Sequence, residues 1–444
     1  VTVVLNCCCT AGGAWLRVST GAEAMAFIVV AADRTTAIAP AIGDFIIIKP
    51  GVVSTSPSDG ITGFSVADLV VVCDGTLAGT DNGAEVSSRS SITIGSSGAM
   101  LGTSCGLWLN GSGAVVNNAG TIQSLGDGIS FINAGLALNG TTNAIINNSG
   151  AIIGAGIGID YTSSAGTHID NSGSITGTAE AIIGLSGISI INKGTISSAT
   201  AEAIDLGGVT TGGLKLINSG TIHAPTTAIL GGSSNDIVRN SGSIDGNVLC
   251  GDGNDKIVNS GTIFGNVDLG SGTDFYRAIG AGLVDGALRA GIGNDTVRGG
   301  SDDDNVDAGT GDDLVKGRDG DDVLAGSDGN DQLFGGAGDD TVAGGTGNDT
   351  IVGGAGDDIL TGGAGSELFV FSGSFGNDRI TQFDAVDTEK IDLRGVGSIV
   401  NFADLTGNHL TQVGADAVIF DGGGNTITIA NFLAANLGAG DFIF

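Results

Sequence analysis

The chain lacks most of what a catalytic or nucleic-acid-binding protein accumulates. Its 444 residues include 4 prolines, 2 tyrosines, 2 tryptophans and 3 histidines. His168, His223 and His409 stand far apart, which excludes a His-Glu-x-x-His zinc-protease site. Gly-x-Ser-x-Gly occurs at Gly102 to Gly106 (GTSCG), but no helix-forming run follows it as a nucleophile elbow requires, which argues against a lipase. Lysine and arginine total 16 against 48 acids, a net charge of −32, so nucleic acid and anionic membranes are poor partners and cations good ones. No apolar run reaches the roughly 18 residues that a transmembrane helix needs. Cys7, Cys8 and Cys9 are adjacent and Cys73, Cys105 and Cys250 isolated, a pattern that fits neither a zinc site nor a disulfide framework. No cysteine is assigned a role.

Glycine, at 82 residues, and short aliphatics take the place of what is missing. Disorder pairs high charge with low hydrophobicity, and a chain that is 41% hydrophobic is not a disordered acidic tail. Aliphatics set singly or in pairs between Gly, Ser, Thr and Asn suit short strands and tight turns. Residues 1–24 resemble nothing downstream, and they contain no ordered n-region, h-region and A-x-A site. MAFIVVAADRTT from Met25 reads as a natural start, so 1–24 are expected to be upstream read-through or disordered, and 25–89 an N-terminal cap with the first coils.

Two repeats organise the rest. VVNNAGTI (115–122), IINNSGAI (145–152), HIDNSGSI (168–175), IINKGTI (190–196), LINSGTI (216–222), VRNSGSI (238–244) and IVNSGTI (257–263) recur at irregular spacing. Each reads as strand, turn at Asn-x-Gly, strand, with further apolar pieces such as AEAII (179–183) and AEAID (201–205) between. Two or three short strands per coil describe a right-handed parallel β-helix over 90–289, in which stacked asparagines can share side-chain hydrogen bonds. From Ala290 the chain falls into nines: AGIGNDTVR, GGSDDDNVD, AGTGDDLVK, GRDGDDVLA, GSDGNDQLF, GGAGDDTVA, GGTGNDTIV, GGAGDDILT, GGAGSELFV. The two patterns join in phase, because Asp236, Asp255, Asp274 and Asp295 are 19, 19 and 21 residues apart and two nonapeptides make 18. The expectation is an all-β chain whose β-helix continues into a parallel β-roll over 290–370, with a C-terminal β cap over 371–444.

The sixth position of the nines is Asp295, Asp304, Asp313, Asp322, Asp331, Asp340, Asp349, Asp358 and then Glu367; the eighth is always aliphatic or Phe369. If two nines complete a coil, the aspartates stack in two columns, one per edge, while the eighth positions fill a thin core. Carboxylates about 5 Å apart repel by roughly 3 kcal/mol per pair at an effective dielectric near 20. Arg298, Lys316 and Arg318 are sparse and off the sixth position. Glycine permits positive φ angles that aim carbonyl oxygens into the gap between turns. Calcium accepts six to eight such oxygens at loose geometry, whereas magnesium demands a stricter octahedron and zinc prefers nitrogen or sulfur. Ca2+ is therefore the expected cofactor.

The nines resemble the repeat-in-toxin family, whose calcium-binding nonapeptide is Gly-Gly-x-Gly-x-Asp-x-aliphatic-x; GGAGDDTVA and GGTGNDTIV fit it throughout. The resemblance implies that the eight aspartates ligate calcium between turns. With them would act the carbonyls of Gly291, Gly293, Gly309, Gly311, Gly320, Gly329, Gly336, Gly338, Gly345, Gly347, Gly354 and Gly356. GGSDDDNVD departs at Asp302 and GGAGSELFV at Glu367; Asp255 and Asp274 would extend the column along one edge. Residues 366–444 resemble the C-terminal domain of serralysin-like secreted proteins. The matching pieces are Phe369 to Phe371, Ile380 to Phe383, Ile391 to Leu393, and the terminal run Asp441, Phe442, Ile443, Phe444. That resemblance implies an uncleaved signal for a type I secretion apparatus and an extracellular or cell-surface location.

Two functional readings follow. One is a non-catalytic surface, adhesin-like or matrix protein whose repeats fold on calcium outside the cell, with surface glycans or its own copies as partners. The other is a secreted polysaccharide lyase or epimerase using Asp160, Tyr161, His168 and Asp170 as acid, base and neutraliser. Residues 90–235 hold only Lys193 and Lys215 as clamps for an anionic sugar chain, which favours the first reading.

Overall fold

Alternating burial drives almost every element. The computed structural model describes residues 4–10, 13–19, 24–30, 38, 45–56, 60–61, 68–86, 88–125, 134–139, 142–161, 166–383 and 389–444. It is all-β apart from a few short helical turns, and it forms two compact units, Val1–Val248 and Leu249–Phe444.

In the first unit, Val4–Thr10, Gly13–Ser19 and Ala24–Val30 form an antiparallel meander. Of the stretch 1–24, residues 1–3, 11–12 and 20–23 lie outside the described residues. From Ala24–Val30 onward the pairings turn parallel, beginning with Phe45–Ile48 and then Val70–Cys73. A representative coil is Thr167–Asn171, Ser174–Gly177 and Ile182–Gly184, each strand lying in register on its counterpart one coil away. Ile122, Ile152, Ile175, Ile196 and Ile222 form one fully buried column. The period-two alternation of strands such as SITG puts that isoleucine inside and its neighbours outside.

Asparagine closes the turn beside this column. The Asn118 Nδ2 donates to Asn148 Oδ1, and the chain of bonds continues through Asn171, Asn192, Asn218 and Asn240 at 2.7–2.8 Å. All six are buried. An amide carries both donor and acceptor, so a column of amides satisfies itself. The stacked asparagines read from the sequence are therefore present as a ladder.

The second unit is a parallel solenoid with two strands per coil through the nonapeptides. One sheet runs through Thr296–Arg298, Leu314–Asp319, Gln332–Ala337, Thr350–Ala355 and Leu368–Ser372. The other runs through Asn305–Thr310, Val323–Asp328, Thr341–Gly347 and Ile359–Gly365. Partners such as Leu333 and Ile351, or Leu324 and Val342, are two nonapeptides apart. Val297, Val315, Leu333, Ile351 and Phe369 fill one side of the core, and Val306, Leu324, Val342 and Leu360 the other.

Beyond the nonapeptides, Asn377–Gln382 and Lys390–Gly395 add one parallel strand to each sheet. Thr426–Ile429 and Phe442–Ile443 then lie on those strands. Leu410–Val413, Asp416–Phe420 and Thr426–Ile429 pair antiparallel, which ends the parallel stacking. Edge-to-face rings at Phe371 with Phe375 (5.4 Å) and Phe383 with Phe432 (5.4 Å) thicken the core where the roll's aliphatics stop.

Replacing Asn192 by alanine strips Asn171 and Asn218 of their side-chain partner and is expected to cost about 2–3 kcal/mol in urea denaturation. The same change at outward-facing Asn117 is expected to cost at most about 0.5 kcal/mol. Equal shifts in the two urea midpoints would remove the ladder from the account of stability.

Candidate metal centre

The sixth-position aspartates stand in the two predicted columns. On one edge the main-chain N–H of Asp295 donates to Asp313 Oδ1 (2.7 Å), that of Asp313 to Asp331 (2.8 Å), and that of Asp331 to Asp349 (2.8 Å). The column reaches back through Asp255 and Asp274, whose N–H groups donate to Asp274 and Asp295 at 2.6 and 2.7 Å. On the other edge Asp304 donates to Asp322 (2.8 Å), Asp322 to Asp340 (2.8 Å) and Asp340 to Asp358 (2.9 Å). Each aspartate is at most 9% exposed.

One oxygen of each carboxylate is thus used by the backbone. The other, Oδ2, is buried and takes no hydrogen bond from any described group in Asp274, Asp295, Asp313, Asp322, Asp331, Asp340, Asp349 and Asp358. No ion pair among the described residues reaches these columns. Asp304 differs, because its Oδ2 accepts the Gly300 N–H at 2.9 Å. In that repeat neither Gly300 nor Asp302 takes a positive φ, so the departure seen in GGSDDDNVD alters the turn itself.

The twelve glycines read as ligands all take φ between +100° and +140°. A Cβ at Gly336 would sit 1.9 Å from the Arg318 carbonyl oxygen, and one at Gly338 would sit 2.1 Å from that of Gly320. Each coil therefore sets its backbone directly over the carbonyls of the last, which glycine allows without strain. The pair Gly251 and Gly253 before Asp255, and the pair Gly270 and Gly272 before Asp274, are left-handed in the same way. Arg318 (φ +97°) and Ser327 (φ +76°) occupy second positions and bear the strain of a Cβ there.

The first position of the nonapeptide completes the cradle. A Cβ at Gly335 would lie 2.2 Å from Asp340 Oδ2 and 2.4 Å from the Gly353 carbonyl oxygen of the next coil. The same pair of oxygens meets at Gly317, Gly326 and Gly344. A carboxylate oxygen and a carbonyl oxygen facing one small space form an acceptor-only set, which a hard cation satisfies and a hydrogen-bond donor does not. The residues therefore fit calcium.

Burial pushes the aspartate pKa values up, with neighbouring carboxylates adding to it and the backbone N–H opposing. Asp274, Asp313 and Asp322 rise to about 7, and Asp340, Asp349 and Asp358 to about 6. Asp295, Asp304 and Asp331 move the same way.

Three features escaped the sequence reading. The first-position glycines were overlooked because the motif hid their role behind positions two and four. The fifth position is Asn or Asp in all nines but the last, and it caps in the opposite sense: Asp321 Oδ1 accepts the Asp339 N–H, and Asp339 Oδ1 that of Asp357 (2.8 Å each). Asp378 also joins the second column, accepting the Asp358 N–H at 3.0 Å. Its signal was GSFGNDRIT (373–381), a tenth nonapeptide displaced by Phe371 and Ser372.

The Asp160, Tyr161, His168 and Asp170 set is not brought together. Tyr161 points into the core with its hydroxyl unpartnered and its acidity suppressed by burial. His168 and Asp170 lie on the outer face of a strand in the other sheet, Asp170 paired with Lys193 at 3.1 Å.

Residues 285–315, 307–342, 316–351 and 334–366 match the family described as RTX calcium-binding nonapeptide repeat (4 copies). The chain thus carries RTX repeats, and calcium is what those repeats bind. No curated protein matches it. Among solved structures, the extracellular lipase LipA of Serratia marcescens is 20% identical over 50% of this chain, with a TM-score of 0.21. The chain spans 40% of that lipase's length. A subunit of the Azotobacter vinelandii mannuronan C5-epimerase is 28% identical over 32% of this chain and 78% of its own, with a TM-score of 0.21.

Because the folded-state pKa values are raised, the protonated carboxyls stabilise the calcium-free fold fully below the unfolded value near 3.8, and that stability is lost as pH rises through about 6 to 7. In chelator, circular dichroism is expected to show more β structure at pH 4.5 than at pH 8; the reverse order would refute the burial argument. Arg318→Gly is expected to raise the unfolding free energy of the calcium-loaded protein, measured by urea denaturation, by about 1 kcal/mol, since the left-handed turn no longer carries a Cβ.

Proposed function

We propose that the chain is a secreted, calcium-dependent structural protein whose second unit folds on calcium outside the cell. Each edge holds a row of Ca2+ between coils. Sixth-position Oδ2 atoms and the carbonyls of the first-, second- and fourth-position glycines are the ligands, and Asp255 and Asp274 continue one row. The observation that carries this is the stack of buried Oδ2 atoms without donors. Their mutual repulsion, eased at Asp304 by the Arg318 charge but met by no ion pair among the described residues, opposes folding in calcium-poor cytosol. Extracellular modules bind calcium at about 10⁻⁴ to 10⁻³ M. At tenfold excess over Kd each site adds about 1.4 kcal/mol to stability. An unfolded chain suits passage through a type I secretion channel, with the C-terminal segment as the signal.

The first unit serves as a non-catalytic, adhesin-like or matrix element. Its outer faces carry few cations and include exposed Leu125, Ile145, Leu185 and Ile217, and the candidate acid–base set is split between core and surface. Surface glycans or further copies of the chain are its partners in this reading.

At pH 8 the full chain is expected to gain β signal between zero and about 1 mM calcium, with magnesium a poor substitute. Superimposable spectra with and without calcium would overturn the proposal. Turnover of a uronate polymer by calcium-loaded protein, lost in His168→Ala, would overturn the non-catalytic half alone.

A further inference from the structure

The acceptor-only geometry does not stop where the nonapeptides stop. On one edge, Asp378 is 1% exposed; its Oδ1 accepts the Asp358 N–H, and its Oδ2 takes no hydrogen bond from a described group. Gly376 ahead of it is left-handed (φ +85°), and a Cβ there would sit 2.0 Å from the Gly356 carbonyl oxygen, as in the nonapeptides themselves.

On the other edge, Glu367 stands where the column calls for aspartate. It is 1% exposed, and neither carboxylate oxygen takes a hydrogen bond from a described group. Glu389, one coil further, is 3% exposed. A Cβ built on Gly362 would lie 3.1 Å from Glu367 Oε2 and 3.2 Å from Glu389 Oε1, so the two carboxylates converge on one point. The longer glutamate arm suits this end of the column, where the β-bulge between Val370 and Ser372 shifts the next strand. No ion pair among the described residues involves Glu367 or Asp378.

We propose that both cation rows run past the nonapeptides, with one divalent ion between Asp358 and Asp378 and another between Glu367 and Glu389. These two ions lock the C-terminal segment onto the roll. Asp378 lies in Asn377–Gln382, and Glu389 directly precedes Lys390–Gly395. Those strands in turn carry Thr426–Ile429 and Phe442–Ile443, so the order of the last seventy residues or so depends on the two terminal ions. The inference rests on the calcium reading above.

The test uses the full chain, calcium and two variants, Asp378→Asn and Glu367→Gln. Equilibrium dialysis is expected to find one calcium fewer in each variant than in wild type. Hydrogen exchange in saturating calcium is expected to quicken by about tenfold or more in the strands beyond Ser372, while Gln332–Ala337 keeps its protection. Unchanged stoichiometry and unchanged exchange in both variants would overturn the proposal. Wild-type protein that binds no calcium would instead overturn the underlying reading. Should the variants unfold throughout, an anomalous-difference map of calcium-soaked wild-type crystals decides. Peaks about 2.3–2.6 Å from Asp378 Oδ2 and from the Glu367 carboxylate support it. Peaks confined to the nonapeptides overturn it.

Discussion

Everything in the second unit turns on a carboxylate that gives one oxygen to the backbone and has no protein partner for the other. Asp340 shows the arrangement: Oδ1 accepts the Asp322 N–H, while Oδ2 shares a glycine-walled space with the Gly353 carbonyl. An acceptor facing an acceptor is unfavourable at low dielectric unless something positive stands between them. The glycines at positions one, two and four, the left-handed turns and the two-strand coil all serve to bring those oxygens together and keep side chains out.

The first unit solves the same stacking problem with a different atom. Asn192 ends the strand Ile188–Asn192, whereas Asp340 directly precedes Thr341–Gly347; the buried Asn192 amide donates to Asn218 and accepts from Asn171. Exchanging a carboxylate oxygen for an NH2 converts a column that needs a ligand into one that closes on itself. Two side chains of nearly identical shape thus build one column that satisfies itself and one whose second carboxylate oxygen meets no donor among the described groups.

Much of this was legible in the period. Nine consecutive matches in phase imply the eighteen-residue offset of Leu333 and Ile351 and both aspartate columns, and the looser Asn-x-Gly repeats imply the asparagine ladder. What stayed hidden were contacts between coils that a linear motif does not encode. Gly353 meets Asp340, thirteen residues away, only through its carbonyl, which any residue type possesses. Asp378 escaped because Phe371 and Ser372 break the count, although the local pattern survives. Arg318 and Ser327 give no sign in the sequence that they sit in a left-handed conformation; the neighbouring coils impose it. Tyr161 and His168 looked like neighbours, but strand alternation and a change of sheet send them to opposite sides of the wall.

The two extra residues at Phe371 and Ser372 have a consequence for alignment. In a stack of near-identical coils, sliding one sheet by a full eighteen residues replaces every contact with an equivalent one, so the repeats alone leave many frames almost equal in energy. The bulge at this point, together with Asp302 and Glu367, marks unique places that fit their neighbours in a single frame. Imperfection in the pattern is what makes the arrangement of the roll unambiguous.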